Sequence, residues 1–419
     1  MIPKLDDYQK RWGIESDPII KPGLDSILSA LERLGNPQKQ LRVIHIAGTN
    51  GKGSTAAFLH SILSEHGLKT ASFTSPWVVD VHDQIKLDGR NITSEEMDEV
   101  FKRMKDAGIS GMLTEFELLT AAAFLAFEEF QPDIVLLEAG MGGRYDSTNV
   151  ITPLVSIITS IGLEHTNFLG ETIKDIAWHK GGIIKVGVPV ITGKLPSEAA
   201  KVIEEIAAEL KSDVMRFEEE FSISRSKGSE SFHFDNKSIG NLQRTLLGSH
   251  QASNMALAIT TAILVLDKEF SINKTLQGVK TAVNPGRFER ITDCVYMDGA
   301  HNVDSAKALT KLVVDKFGET PIHFVVGMLK DKDIEGFLLE LTGVAASFTF
   351  VDFSHARAAS PEELLQKCEF SRKSVKNKNK VTLDLLSSEE GVTIITGSLY
   401  LLTELREIIH GNLVNNQNS

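Results

Sequence analysis

Cysteine is nearly absent from this chain: Cys294 and Cys368 are the only two among 419 residues. Two thiols supply neither a disulfide framework nor a cysteine zinc site, and they suit a reducing compartment, so a cytoplasmic location is expected. Long runs of lysine and arginine are missing too, and the formal net charge is -12. That balance argues against nucleic acid as a partner and otherwise bears on solubility. No apolar run approaches membrane-spanning length, and Met1-Ile2-Pro3-Lys4-Leu5-Asp6-Asp7 carries no apolar signal core, so no membrane partner is expected. There is no internal repeat. A chain this long exceeds one ordinary core, so two domains are expected.

What the chain has is alternation. Short apolar runs and helical stretches follow one another through most of it, the pattern of α/β layers with mainly parallel strands. Strands are expected at 41–47, 70–74, 133–138, 154–159 and 188–192, and helices at 54–65, 94–105, 115–129, 173–180 and 197–210. Between Met215 and Leu246, Phe221, Ile223, Phe232, Phe234 and Ile239 alternate with polar residues, which predicts a small antiparallel β insert. A helix is expected over 248–266. Asn284-Pro285-Gly286 is a turn signal, and a second α/β series follows it, with strands expected at 294–297, 322–328, 347–353 and 392–396. The expected domains are 1–285, carrying the mainly parallel sheet and the insert, and 286–419. A cleft between two such domains is a common place for substrates.

Residues 41–54 read LRVIHIAGTNGKGS, an apolar run that breaks into glycines, a lysine and a serine just before a helix. Strand, glycine-rich turn and helix make a phosphate cradle. Backbone N–H groups at the helix start point at the anion, and Lys52 adds a positive charge. Asn50, Gly51, Lys52, Gly53 and Ser54 are therefore candidate ATP contacts.

Other candidates lie at strand ends. Glu138 closes an apolar strand and runs into Ala139-Gly140-Met141-Gly142-Gly143-Arg144, where a Mg²⁺ ligand belongs in a nucleotide-binding α/β sheet. His165, after Gly162-Leu163-Glu164, is either a satisfied loop histidine or a metal contact. Lys180 ends a helix and on that ground alone complements the helix dipole. Arg287, in Pro285-Gly286-Arg287, is either an anion clamp or a surface arginine. Asp298 and His301, in Asp298-Gly299-Ala300-His301-Asn302, end the first strand of the second domain. Ser398, in Thr396-Gly397-Ser398-Leu399-Tyr400, is either a plain helix cap or part of an anion site.

Taken in order, these motifs resemble the folylpolyglutamate synthase/dihydrofolate synthase family of the Mur ligase superfamily. The resemblance runs through GTNGKGS, Thr74-Ser75-Pro76, Thr114-Glu115-Phe116-Glu117, Glu138–Gly143, Asp146-Ser147-Thr148-Asn149, Glu164-His165, His179–Lys185, His250-Gln251 with Asn254, and the second-domain motifs above. It implies an N-terminal P-loop ATPase domain and a C-terminal Rossmann-like domain. It also implies a ligase that joins the carboxylate of folate or dihydropteroate to the amine of L-glutamate, with ATP going to ADP. Ser75, Glu138, His165 and Lys180 are implied as Mg²⁺ ligands at two sites, with Lys180 carbamylated. Asn254, Arg287 and Asp298 are implied as nucleotide contacts. Thr114, Glu115, Phe116, Glu117, Tyr145, Asp146 and Ser147 are implied on the folate side, and His301 and Ser398 in the glutamate pocket.

Three motifs depart from the family pattern: Glu164 replaces the usual Asp, Asp83-Gln84-Ile85 replaces Glu-Arg-Ile, and His179 and Gly181 replace Glu and Ala around Lys180. The implied chemistry is γ-phosphoryl transfer to the acceptor carboxylate, attack of the glutamate amine on the acyl phosphate, and expulsion of phosphate. Lys52, Glu138, Lys180 and His301 are the candidate catalytic residues, with His301 as the candidate base. The rivals are a Mur-type amino-acid ligase for another carboxylate and a regulatory nucleotide-binding protein without catalysis. Small-molecule substrates and a monomer are expected.

Overall fold

The computed structural model describes residues 4–19, 23–226, 229–381 and 391–417; the first three residues of the N-terminal stretch lie outside them. The chain forms two compact units. One comprises Met1–Thr245 with Gln251–Val283, and the other Leu246–His250 with Asn284–Ser419.

The first unit is built on β1 (Val43–Ala47), β2 (Thr70–Phe73), β3 (Ile85–Leu87), β4 (Arg90–Asn91), β5 (Ile134–Glu138), β6 (Val155–Ile158), β7 (Val190–Thr192) and β8 (Val214–Arg216). Their order in the sheet is β4-β3-β2-β5-β1-β6-β7-β8. The strands from β2 to β8 in that order run parallel, and β3 and β4 form an antiparallel edge. Every residue of β1 and β5 is buried, which is why both are dominated by apolar residues, with His45 in the middle of β1 and Glu138 at the end of β5 as the polar exceptions. Helix Glu115–Phe130 buries all ten residues from Leu118 to Phe127 on this core, and a reciprocal Thr114–Glu117 cap starts it.

The chain leaves β1 for one side of the sheet and reaches the other side only after β5. The carboxyl end of β1 is therefore a switch point, where α/β sheets hold their ligands. The expected insert is a three-stranded antiparallel sheet of β9 (Phe221–Ser226), β10 (Ser229–Phe234) and β11 (Lys237–Leu242). The β3–β4 hairpin was not expected; its strands are too short to show alternation.

The second unit holds β12 (Glu289–Arg290), β13 (Val295–Met297), β14 (Ile322–Val326), β15 (Ala345–Phe350), β16 (Lys373–Val375) and β17 (Val392–Thr396), ordered β12-β13-β17-β14-β15-β16. All but β12 pair in parallel. Phe324 stacks on Phe348, and Phe348 on Phe350, in its core. Among the described residues no helix is long and apolar enough to cross a membrane.

Candidate active site

The loop after β1 is stitched to the end of β6. Asn50 N–H donates to Ser160 Oγ at 2.9 Å, and the Thr159 and Ser160 hydroxyls donate to Asn50 O at 2.6 and 3.0 Å. Gly51 has φ of +92°, and a Cβ there would lie 2.4 Å from Asn254 Oδ1, so only glycine fits. Helix Lys52–Glu65 starts here, two residues earlier than expected. Asn254 donates to Gln251 at 3.0 Å, and Gln251 to Ser54 at 3.2 Å, so helix Ser249–Leu266 is tied to the loop. Lys52 Nζ donates to Gly48 O at 2.7 Å and lies 3.9 Å from Glu138 Oε1. Glu138, at the end of the adjacent β5, is buried. Lysine and carboxylate thus meet at the switch point.

Lys180 is not a solvated helix-end lysine. Its side chain is 1% exposed, and Nζ donates to Glu164 Oε1 at 2.6 Å. Burial lowers the lysine pKa to about 8, against the pull of Glu164. Burial would raise the pKa of Glu164, but the Lys180 and Lys52 cations outweigh it and hold the acid at about 2. The dipole argument fails because the helix end faces the interior. Glu164 was missed by motif reading as a residue with its own part in the site.

Hard oxygen donors fit Mg²⁺, which takes one or two carboxylates and completes its shell with phosphate and water. Glu138, buried beside the phosphate loop, and the half-buried Ser75 hydroxyl are such donors. His165 sits at a left-handed position, φ 48°, at the start of the short helix Thr166–Leu169. Among the described residues no three of His, Cys, Asp and Glu gather as a metal-holding group.

On the proposed folate side, most polar side chains are already engaged. Glu117 accepts from the Thr114 N–H and hydroxyl at 2.9 and 2.8 Å. Phe116 lies over Gly140, where a Cβ would come within 2.4 Å of its ring. Asp146 accepts from Met141 N–H at 2.8 Å and from Thr148 N–H and hydroxyl at 3.1 and 2.5 Å. Ser147 pairs with Thr120 at 2.7 Å, and Asn149 donates to the carbonyls of Arg144 and Gly182, both at 3.0 Å. Tyr145 differs: it is 48% exposed and meets Trp178 and His179 edge-on. The Arg144 guanidinium lies 3.9 Å over the Trp178 ring. An open groove beside them is lined by Leu169, Gly170, Asp175, Trp178 and His179. Trp178 and the aromatic face of His179 carried no motif signal; the edge-on packing alone brings them to Tyr145.

In the second unit, Asp298 accepts from Phe288 and Ala300 N–H, each at 2.9 Å. Burial raises its pKa, against the Arg287 cation. His301 Nδ1 lies 2.8 Å from Gly299 O, so Nδ1 carries the proton and Nε2 is the basic nitrogen. Ser398 is buried at the end of β17, and its Oγ accepts from Tyr400 N–H at 3.3 Å. Tyr400 stacks on His355 at 4.4 Å, a neighbour the motif did not reveal.

Residues 46–262 match the Mur ligase middle domain, and residues 287–408 the dihydrofolate synthetase C-terminal domain. A dihydrofolate synthase/folylpolyglutamate synthase of Bacillus subtilis is 37% identical over 409 residues, covering 93% of this chain and 95% of that one. A folylpolyglutamate synthase of Lacticaseibacillus casei is 34% identical, covering 92% and 94%. Among solved structures, E. coli FolC in complex with DHPP and ADP superposes with a TM-score of 0.88 at 28% identity, covering 97% and 98%.

Proposed function

The chain belongs to the folylpolyglutamate synthase/dihydrofolate synthase family of Mur ligases, and from that premise we propose how its own residues carry out the reaction. It is an ATP-dependent, ADP-forming C–N ligase that adds L-glutamate to folate. The names of the relatives disfavour a Mur-type ligase for another carboxylate. The observation that carries the assignment of roles is the meeting of Lys52 and Glu138 at the end of β1 and β5.

The acceptor carboxylate has no leaving group, so it must first take the γ-phosphoryl group. Asn50, Gly51, Gly53 and Ser54 hold the phosphates, and Lys52 balances charge on the group in transfer. Asn254, Arg287 and Asp298 contact the nucleotide. Glu138, Ser75 and His165 would hold Mg²⁺, which as a Lewis acid would neutralise phosphate charge. Lys180, its pKa lowered to about 8 by burial, gives up its proton more readily than a solvated lysine, and carbamylation by CO₂ requires the neutral amine. As a carbamate it would carry a carboxylate toward the metal. Thr114–Glu117 and Tyr145–Ser147 shape the acceptor site, with exposed Tyr145 as its surface contact. Ser398 and His301 receive glutamate, and Nε2 of His301 takes the proton from its amine. The protein acts as a cytoplasmic monomer.

The test is a panel of dihydropteroate, dihydrofolate, tetrahydrofolate and 5,10-methylenetetrahydrofolate with purified protein, scored by labelled glutamate in the product. Transfer to at least one acceptor is expected. Transfer to none, with the protein folded and ATP bound, overturns the assignment.

A further inference from the structure

One buried polar side chain in the phosphate-loop strand has no part in the steps above. His45 lies in the middle of β1 and is 0% exposed. Its Nε2 is 2.9 Å from Thr148 Oγ1. The Thr148 hydroxyl gives its own proton to Asp146 Oδ1, 2.5 Å away. Thr148 can therefore only accept from the ring, and His45 carries its proton on Nε2. Burial pushes its pKa down to about 3, so the ring is neutral. Nδ1 is then a bare acceptor, buried without a hydrogen-bond partner. An unpaired buried polar atom costs about 1–3 kcal/mol, and an apolar side chain on this strand would avoid it. Such a local conflict is characteristic of functional positions.

The chain of bonds runs on from Asp146. Its other oxygen accepts from Met141 N–H at 2.8 Å, and Gly140 N–H also supports the carboxylate. These residues open the glycine loop that follows Glu138 and leads to exposed Tyr145. We infer that His45 is a positioning residue for the acceptor substrate: through Thr148 it aims the Asp146 carboxylate that shapes the Gly140–Tyr145 loop. This rests on the reading above that the loop faces folate. His45 touches no substrate itself. Without its N–H, the Thr148 hydroxyl loses its donor, and the carboxylate loses a fixed partner on Oδ1. Acceptor binding then suffers while the phosphate loop keeps its own bonds to Thr159 and Ser160.

The test compares His45→Phe, His45→Gln and Thr148→Val by KM for acceptor, KM for ATP, kcat and melting temperature. His45→Phe and Thr148→Val should raise the acceptor KM about tenfold, the worth of one hydrogen bond, and leave the ATP KM within about twofold. His45→Gln, whose amide can still donate to Thr148, should recover most of the loss. Ring-nitrogen NMR of the wild type should show an Nε2–H tautomer that does not titrate between about pH 5 and pH 8. If His45→Phe does not fold, Thr148→Val against Thr148→Ser makes the same comparison. An unchanged acceptor KM, an equal loss in His45→Gln, a parallel rise in both KM values, or a titrating ring overturns the inference. If the wild type transfers glutamate to no acceptor, the parent reading fails instead, whatever tautomer the spectrum reports.

Discussion

The first unit contains two buried carboxylates held by basic side chains, and the two differ in chemistry. In the β insert, Glu230 accepts from Arg225 at 2.7 and 2.9 Å and from Arg244 at 2.8 and 2.9 Å. Burial would raise the pKa of Glu230, but the two guanidinium groups pull it below the ordinary glutamate value. In the candidate active site, Glu164 accepts from Lys180, the more deeply buried cation. Arginine cannot give up its proton under working conditions, so the insert pair is permanent. Lysine can, and Lys180 is held at about 8. The same burial that fixes one pair leaves the other a removable proton, and so an amine with chemistry available to it.

The sharpest way to break this comparison is to exchange the cations. Lys180→Arg keeps the charge and the pairing but removes the amine that can lose its proton. Turnover should fall at least ~10²-fold, the scale of losing a main electrostatic contributor, with little change in melting temperature. Glutamate incorporation beside calorimetry measures both; wild-type turnover in this variant would end any special role for the amine. Arg244→Ala should do the reverse. It leaves Glu230 buried with only the half-exposed Arg225, and should cost about 3–5 kcal/mol in urea unfolding without altering kcat of the folded protein.

The pairs should also respond at opposite ends of the pH scale. Glu230 has a depressed folded pKa, so its stabilisation is present above the ordinary glutamate value and lost as pH falls through the folded one. Lys180 has a lowered folded pKa, so the unfolded chain binds more protons between about 8 and 10.5, and its contribution rises with pH across that window. Melting curves of wild type, Glu230→Gln and Lys180→Met against pH separate the two. The smallest effect belongs to Arg225→Ala. Its side chain is 55% exposed and Arg244 still holds the acid, so the loss should stay under about 1 kcal/mol by thermal melts.

The difference between the pairs was not legible in the sequence, and the reason is general. β1, its glycine loop and Glu138 could be read because a fully buried strand is dominated by apolar residues, and its end is marked by glycines. Lys180 could not. A lysine in the last turn of a helix looks solvated unless one knows which face is covered, and Glu164 reaches it only through the fold. The engaged state of Asp146, Ser147 and Asn149 was hidden likewise, since a motif names residue types and not what they bond. His45 read simply as part of a strand. The β3–β4 hairpin was missed although its signal was present. Asp88 and Gly89 form its two-residue loop with φ of 52° and 81°, the pattern Asp-Gly favours. Strands of three and two residues gave that turn no flanking pattern.

The most direct test of the whole account is the stoichiometry of ADP release. Purified protein is given ATP and Mg²⁺ alone, with the folate acceptor, with glutamate, and with both. An acyl-phosphate ligase predicts sustained ADP formation only with both, at one ADP per glutamate incorporated. Sustained ADP release without glutamate, or ADP release that never yields a glutamylated product, would contradict it.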